Sequence, residues 1–218
     1  MILRLSEGPD VLGEYEEKRS RFVCVLRRCT SEAQARAHIA EQRHRYPSAG
    51  HHCSAFLIEV PDAARIERSN DDGEPSGTAG APMLDVLRGS SLTDVCAVVV
   101  RWFGGTKLGA GGLARAYGVS VSTALDLARE TGRIRRVERL TKLSTDVDLA
   151  VAAKVEAELR RKGLTVLGVE YGRRARISIA TDNPEQPASV LAAATSGGAV
   201  WTDDGMVEFE GSGCDSAR

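Results

Sequence analysis

The chain has 218 residues, room for two small domains, and its 42% hydrophobic and 27% charged residues are the mix of a soluble globular protein. A formal net charge of -1 excludes wholesale basic packaging of nucleic acid, while leaving a local basic face open. No apolar run approaches bilayer length, the N-terminus has no extended apolar signal segment, and the five cysteines show no CxxC spacing, so a reduced cytoplasmic setting without membrane contact is expected.

Residues 20–28 (SRFVCVLRR) read as a strand, rich in β-branched and aromatic residues. Residues 31–46 read as a helix, capped by Thr30 or Ser31, with Ala35, Ile39 and Tyr46 on one face and Pro47 as its stop. A second strand covers 51–60, and the polar stretch 61–78 reads as a long loop, a length often tied to function. A short helix over 79–88 precedes the most apolar strand, 94–103 (DVCAVVVRWF). The longest helix is placed at 113–130, with Gly118 inside it. A mid-helix glycine costs roughly 1 kcal/mol relative to alanine, which points to close packing there. After Gly132 the pattern becomes strand 137–146, helix 149–162 capped by Asp148, strands 164–171 and 174–181, helix 184–195 and strand 205–210. Glu156–Arg160 and Glu158–Lys162 are the favourable helical pairs. The order β-α-β-β-α-β predicts a ferredoxin-like unit. The domains are therefore expected at 1–136 and 137–210, with a flexible tail over 211–218.

The stretch RWFGGTKLGAGGLARAYG, from Arg101, carries the chemistry. It leaves a buried strand and opens a helix, so free amides at Gly111, Gly112 and Leu113 and the helix dipole favour an anion. Gly104, Gly105, Gly109, Gly111 and Gly112 permit close backbone approach, and Arg101, Lys107 and Arg115 add positive charge. Neither the P-loop nor the dinucleotide glycine pattern is matched, so an anion site and a purely structural turn both remain open. The acidic loop SNDDGEPSGTAG holds Asp71, Asp72 and Glu74, which lack the spacing of an EF-hand, and Ser76 and Thr78, which are placed to cap the next helix. His51-His52-Cys53 alternates along a strand and is read as structural, not as a zinc site. Trp102, Phe103 and Tyr117 are read as core in preference to platforms that stack bases, and no nucleophile, catalytic residue, metal or cofactor is expected. The arginine clusters of the first helix, of 133–136 and of 173–176 are read as solvated surface.

The run GSSLTDVCAVVVRWFGGTKLGAGGLARAYG, together with SNDDGEPSGTAGAPMLDVL, resembles the IMPACT family, whose bacterial branch is also called the YigZ family. The likeness covers roughly residues 14–130, and Trp102 stands where Tyr or Phe is usual. It implies an α+β protein: a two-layer α/β domain like domain 2 of ribosomal protein S5, then a ferredoxin-like domain resembling the last domain of elongation factor G. Both related folds work on ribosomes or RNA. Eukaryotic members regulate translation through an initiation-factor kinase, an activity that goes with an extra N-terminal domain, so that role is not carried over. The resemblance also implies a functional patch at residues 71–78, Arg101, Gly104, Gly105, Leu108 and Gly109.

The expected function is a non-enzymatic, translation-associated binding protein whose glycine loop contacts RNA, the ribosome or an acidic protein partner. The alternative is a kinase-like enzyme of small molecules, with Mg²⁺ on the acidic loop and phosphate on the glycine loop.

Overall fold

The computed structural model describes residues 2–61, 63–195 and 197–210. The tail expected over 211–218, with Cys214, lies outside the described residues. The architecture is mixed α/β, and the chain divides into two compact units, Met1–Arg136 and Val137–Glu210.

The first unit contains β1 (Ile2–Leu5), β2 (Val11–Glu17), β3 (Ser20–Arg28), α1 (Glu32–Arg45), β4 (His51–Ile58), β5 (Ile66–Asn70), α2 (Gly80–Gly89), β6 (Val95–Trp102) and α3 (Gly109–Glu130). Its main sheet has the order β2-β3-β6-β4-β5, antiparallel throughout. The run from Val95 to Val100 is fully buried, every residue of it. Such a strand is apolar on both sides, so both sides need cover. Val95, Ala97 and Val99 pack with Met83 and Leu87 of α2 and Tyr117 and Val121 of α3. Cys96, Val98 and Val100 face the other way, toward Ala35 and Ile39 of α1. The two-layer expectation is thereby corrected: helices cover both faces, because the central strands do not alternate apolar with polar residues.

The structure adds β1 and β2, where the sequence pattern assigned no element, and β5 within the stretch expected as a loop. β2 and β5 are edge strands, and β5 (IERSN) carries little apolar signal because only one of its sides packs. Helix α1 is capped by Ser31, whose side chain accepts from the Gln34 amide. Its inner face also carries polar residues: His38 and Gln42 are fully buried. His38 Nε2 donates to the Val25 carbonyl at 3.3 Å, and the Gln42 amide lies 3.4 Å from His38 Nδ1. The close packing expected at Gly118 is absent, since a Cβ there would meet Val86 at an ordinary 3.6 Å. Close packing on α3 is found instead at Gly13 of β2, where a Cβ would come within 2.6 Å of the Ala124 nitrogen.

The second unit begins within β7 (Ile134–Val147) and continues with α4 (Leu149–Arg161), β8 (Thr165–Tyr171), β9 (Ala175–Thr181), α5 (Gln186–Thr195) and β10 (Thr202–Glu210). Its strands run β10-β7-β9-β8, all antiparallel. Val155 and Leu159 of α4 and Val190 and Leu191 of α5 pack with Leu143, Ile177 and Ile179. Asp148 occupies the N-cap position of α4 without a side-chain cap bond. Glu156 pairs with Arg160 as expected, whereas Glu158 pairs with Arg161 rather than Lys162.

Candidate functional site

Strand β6 alternates Val95, Ala97, Val99 and Arg101 toward α2 and α3. The sheet register sets Arg101 opposite Phe22 of β3 on one side and His51 of β4 on the other. A guanidinium in an apolar row requires a partner. Arg101 Nη1 donates to Glu74 Oε1 at 2.5 Å, and the two side chains are only 6% and 4% exposed. Tyr117, buried on α3, donates its hydroxyl to the same oxygen at 2.7 Å. The guanidinium also lies over the rings of Phe22 and Phe103, 5.5 and 5.7 Å from their centroids. This cluster fastens the acidic loop to the end of β6.

The other carboxylates of that loop have different tasks. Asp71 accepts from the amides of Gly77, Ala79 and Gly80 at 2.8–3.0 Å and so caps α2 from upstream. Ser76 and Thr78 do not cap it: Thr78 donates its hydroxyl to the Pro75 carbonyl, and Ser76 is exposed. Asp72 is bound by Arg43 at 2.5 Å and by the His52 amide at 2.6 Å. Three carboxylates turned to three separate partners do not share a divalent ion. Among the described residues no cluster of three or more His, Cys, Asp or Glu side chains is arranged for a metal.

Burial raises the Asp71 and Asp72 carboxyls, but the three amides around Asp71, and Arg43 with the His52 amide around Asp72, outweigh it and hold both below the usual carboxylate range. Burial depresses His38 and His52, which stay neutral while donating to carbonyls. Unfolded imidazoles take up protons below about pH 6.5, and unfolded carboxylates below about pH 4, where the native groups do not. Stability is therefore expected to fall in two stages as pH drops through those windows, read as urea midpoints from pH 8 to pH 3. A His38→Asn, His52→Asn variant that kept the first stage unchanged would refute its assignment.

A cleft of about 350 Å³ opens beside the ion pair, between Glu74, His51 and Arg101 on one side and Phe103, Lys107, Leu108, Gly109 and Ala110 on the other. Helix α3 begins at Gly109, four residues earlier than expected, because glycine and alanine carry no apolar signal with which to mark a helix start. Its partnerless amides are accordingly those of Gly109, Ala110 and Gly111, not Gly111, Gly112 and Leu113. The N-cap residue Leu108 supplies no side-chain acceptor, and the first turn has no acidic residue. Lys107 is exposed beside these amides and makes no ion pair with the described residues.

The other sequence-predicted positions separate. Gly104 is a packing residue: its amide donates to Ser20 Oγ at 3.1 Å, and a Cβ would sit 2.0 Å from the Arg19 carbonyl carbon. Gly105, Gly111, Gly112 and the exposed Arg115 lie outside the cleft lining. Four lining residues, His51, Phe103, Ala110 and Leu113, were not in the predicted site. His51 donates from Nδ1 to the Asp72 carbonyl at 2.9 Å, with Nε2 at 3.8 Å from Glu74 Oε1. Phe103, expected in the core, is 58% exposed. Tyr117 is fully buried, and Trp102 is half-buried with its indole donating to Ser48. Cys24, Cys29, Cys53 and Cys96 are free and buried. Burial pushes the Cys53 thiol up to about 12, so the thiol nearest the site stays protonated.

A family model described as the Impact N-terminal domain matches residues 18–125. IMPACT family member YvyE of Bacillus subtilis is 42% identical over 177 residues, 79% of this chain and 78% of its own length. The chain belongs to the IMPACT family. IMPACT family member YigZ of Escherichia coli is 46% identical over 110 residues, 50% of this chain and 54% of its own. A crystal structure of a hypothetical protein aligns with a TM-score of 0.58 and 31% identity, covering 92% of this chain and 97% of its own. The two-domain translational regulator Yih1 aligns over 56% of this chain at 25% identity, with a TM-score of 0.39, too slight a likeness to argue from. The Impact N-terminal match spans β3 to α3 and so takes in the Arg101–Glu74 pair and the cleft. No helix among the described residues is long and apolar enough to cross a membrane.

Proposed function

We propose that this IMPACT family member is a non-enzymatic, translation-associated binding protein of the cytoplasm that contacts RNA or the ribosome through the cleft between the acidic and glycine loops. The observation that carries the reading is the start of α3. Three amides without intrahelical partners, no acidic residue in the first turn, and Lys107 without an ion-pair partner among the described residues together favour a phosphate. Arg101 contributes differently from what its position in the motif suggests, since its charge is neutralised by Glu74 and it acts as a support. The element order of the first unit supports likeness to domain 2 of ribosomal protein S5. The β10-β7-β9-β8 order of the second supports a ferredoxin-like unit resembling the last domain of elongation factor G.

Binding to ribosomes or structured RNA is expected to weaken steeply with salt. Lys107→Ala is expected to weaken it uniformly across sequences and to reduce the slope of log K against log salt by about 1, the signature of one lost phosphate contact. Filter binding over a potassium chloride series measures both. Wild-type affinity and slope in the Lys107→Ala protein would remove the cleft from the reading.

A further inference from the structure

We propose that the cleft recognises one ribonucleotide unit, with its phosphate at the start of α3, its base on Phe103 and its ribose 2′-hydroxyl donating to Glu74. The inference rests on the RNA-binding reading above and specifies the unit that is recognised.

The first support is an unused acceptor. Glu74 is 4% exposed at its side chain and lines the cleft. Oε1 takes both of its hydrogen bonds, from Arg101 and Tyr117, and Oε2 takes none from the described residues. Oε2 is not buried out of reach, so it faces the cleft as an acceptor open to a donor from a ligand. A second cation is disfavoured there by Arg101 in contact and Lys107 across the cleft, so a neutral donor fits. Arg101 Nε, by contrast, is buried without a partner among the described residues, which leaves this cluster incompletely satisfied.

The second support is Phe103. Its ring is 58% exposed, yet it rests on the Arg101 guanidinium, so an aromatic face is presented at the cleft mouth on a rigid base. Every nucleobase has a π-face to stack on such a platform. The same guanidinium touches Phe103 and Glu74, which places ring and carboxylate within the span of one nucleoside. The amides of Gly109 and Ala110 and the Lys107 ammonium supply the anion end. A volume of about 350 Å³ suits a single nucleotide. Within an RNA chain the 3′-oxygen is esterified, so the 2′-hydroxyl is the sugar donor that remains, and it is the group that separates RNA from DNA.

The test titrates the full chain with AMP, inorganic phosphate, and matched short oligoribonucleotides and oligodeoxyribonucleotides. The ribo form is expected to bind about tenfold more tightly than the deoxy form, the ordinary worth of one hydrogen bond to a charged acceptor. In E74Q the side-chain carbonyl keeps accepting from Arg101 and Tyr117, while an amide donor replaces Oε2. The ribo preference is expected to vanish, with phosphate binding kept or strengthened. F103A, a change at an exposed side chain, is expected to weaken both oligomers about tenfold through lost stacking.

Equal binding of ribo and deoxy oligomers to wild type, an intact preference in E74Q, or displacement of the oligomer by an acidic peptide at equal concentration would each overturn the inference. If ribosome binding persists while E74Q and F103A change nothing, the ribonucleotide site is refuted and the broader reading stands. If AMP binds as tightly as the oligomer and ribosomes do not bind, the site stands and the broader reading fails.

Discussion

Replacing Glu74 by alanine is expected to destabilise the protein by roughly 3–5 kcal/mol, the range for breaking a buried ion pair from one side. The change strands the Arg101 guanidinium, 6% exposed, and leaves the buried Tyr117 hydroxyl without its acceptor. Attraction within the pair is not the main source of this loss, because desolvation of both charges offsets much of it. The double variant Glu74→Leu, Arg101→Met is therefore expected to recover most of the stability, since it removes the uncompensated charge and fills the volume. Urea denaturation of the two proteins decides the matter. A single variant within 1 kcal/mol of wild type would mean that water or rearrangement satisfies Arg101, and the rigidity assigned to the cleft would go with it.

Gly104→Ala is expected to destabilise by about 3 kcal/mol or more, at the upper end of overpacking effects. The added methyl would lie 2.0 and 2.1 Å from the carbonyl carbon and oxygen of Arg19 and 2.4 Å from the Ser20 nitrogen. These are backbone atoms of the turn between β2 and β3, so no side-chain rotation relieves the overlap. The strain falls where the glycine loop crosses that turn and would carry Lys107 and the start of α3 away from Glu74. Gly111→Ala is the matching control. Nothing lies within 4 Å of a Cβ there, the residue is helical, and the substitution keeps the amide. It is expected to be neutral or to stabilise by about 0.5–1 kcal/mol. Equal melting temperatures for the two glycine variants would show that Gly104 is not a packing residue.

The contrast between these glycines shows how far residue type alone reaches. One motif holds Gly104, which makes room for a crossing chain, and Gly111, which tolerates a side chain. The distinction depends on what lies opposite, and the opposing residues are more than eighty positions away. Phe103 and Tyr117 make the same point. Both are aromatic residues near the loop, one exposed against Arg101 and the other buried and bonded to Glu74. Arg115 sits one turn beyond the glycines, yet the helix turns it outside the cleft. His51 was visible as sharing a strand face with Cys53, but its place beside Arg101 follows from the β4–β6 register, which local pattern does not specify.

By itself the amino-acid sequence determined the central strands, the five helices to within a few residues at most ends, the change of rhythm near residue 136 and the family resemblance carried by the glycine and acidic loops. Those features are local: periodicity, capping residues and short-range motif spacing are written within a dozen positions. Only the tertiary structure decided that helices cover both faces of the first sheet, that Asp71, Asp72 and Glu74 serve three separate partners, and that Arg101 holds a carboxylate instead of offering a free charge. The physical reason is the same in each case. A buried polar group takes its partner from whatever the fold brings within hydrogen-bond reach, and that neighbour is fixed by strand pairing and packing across long separations in the chain.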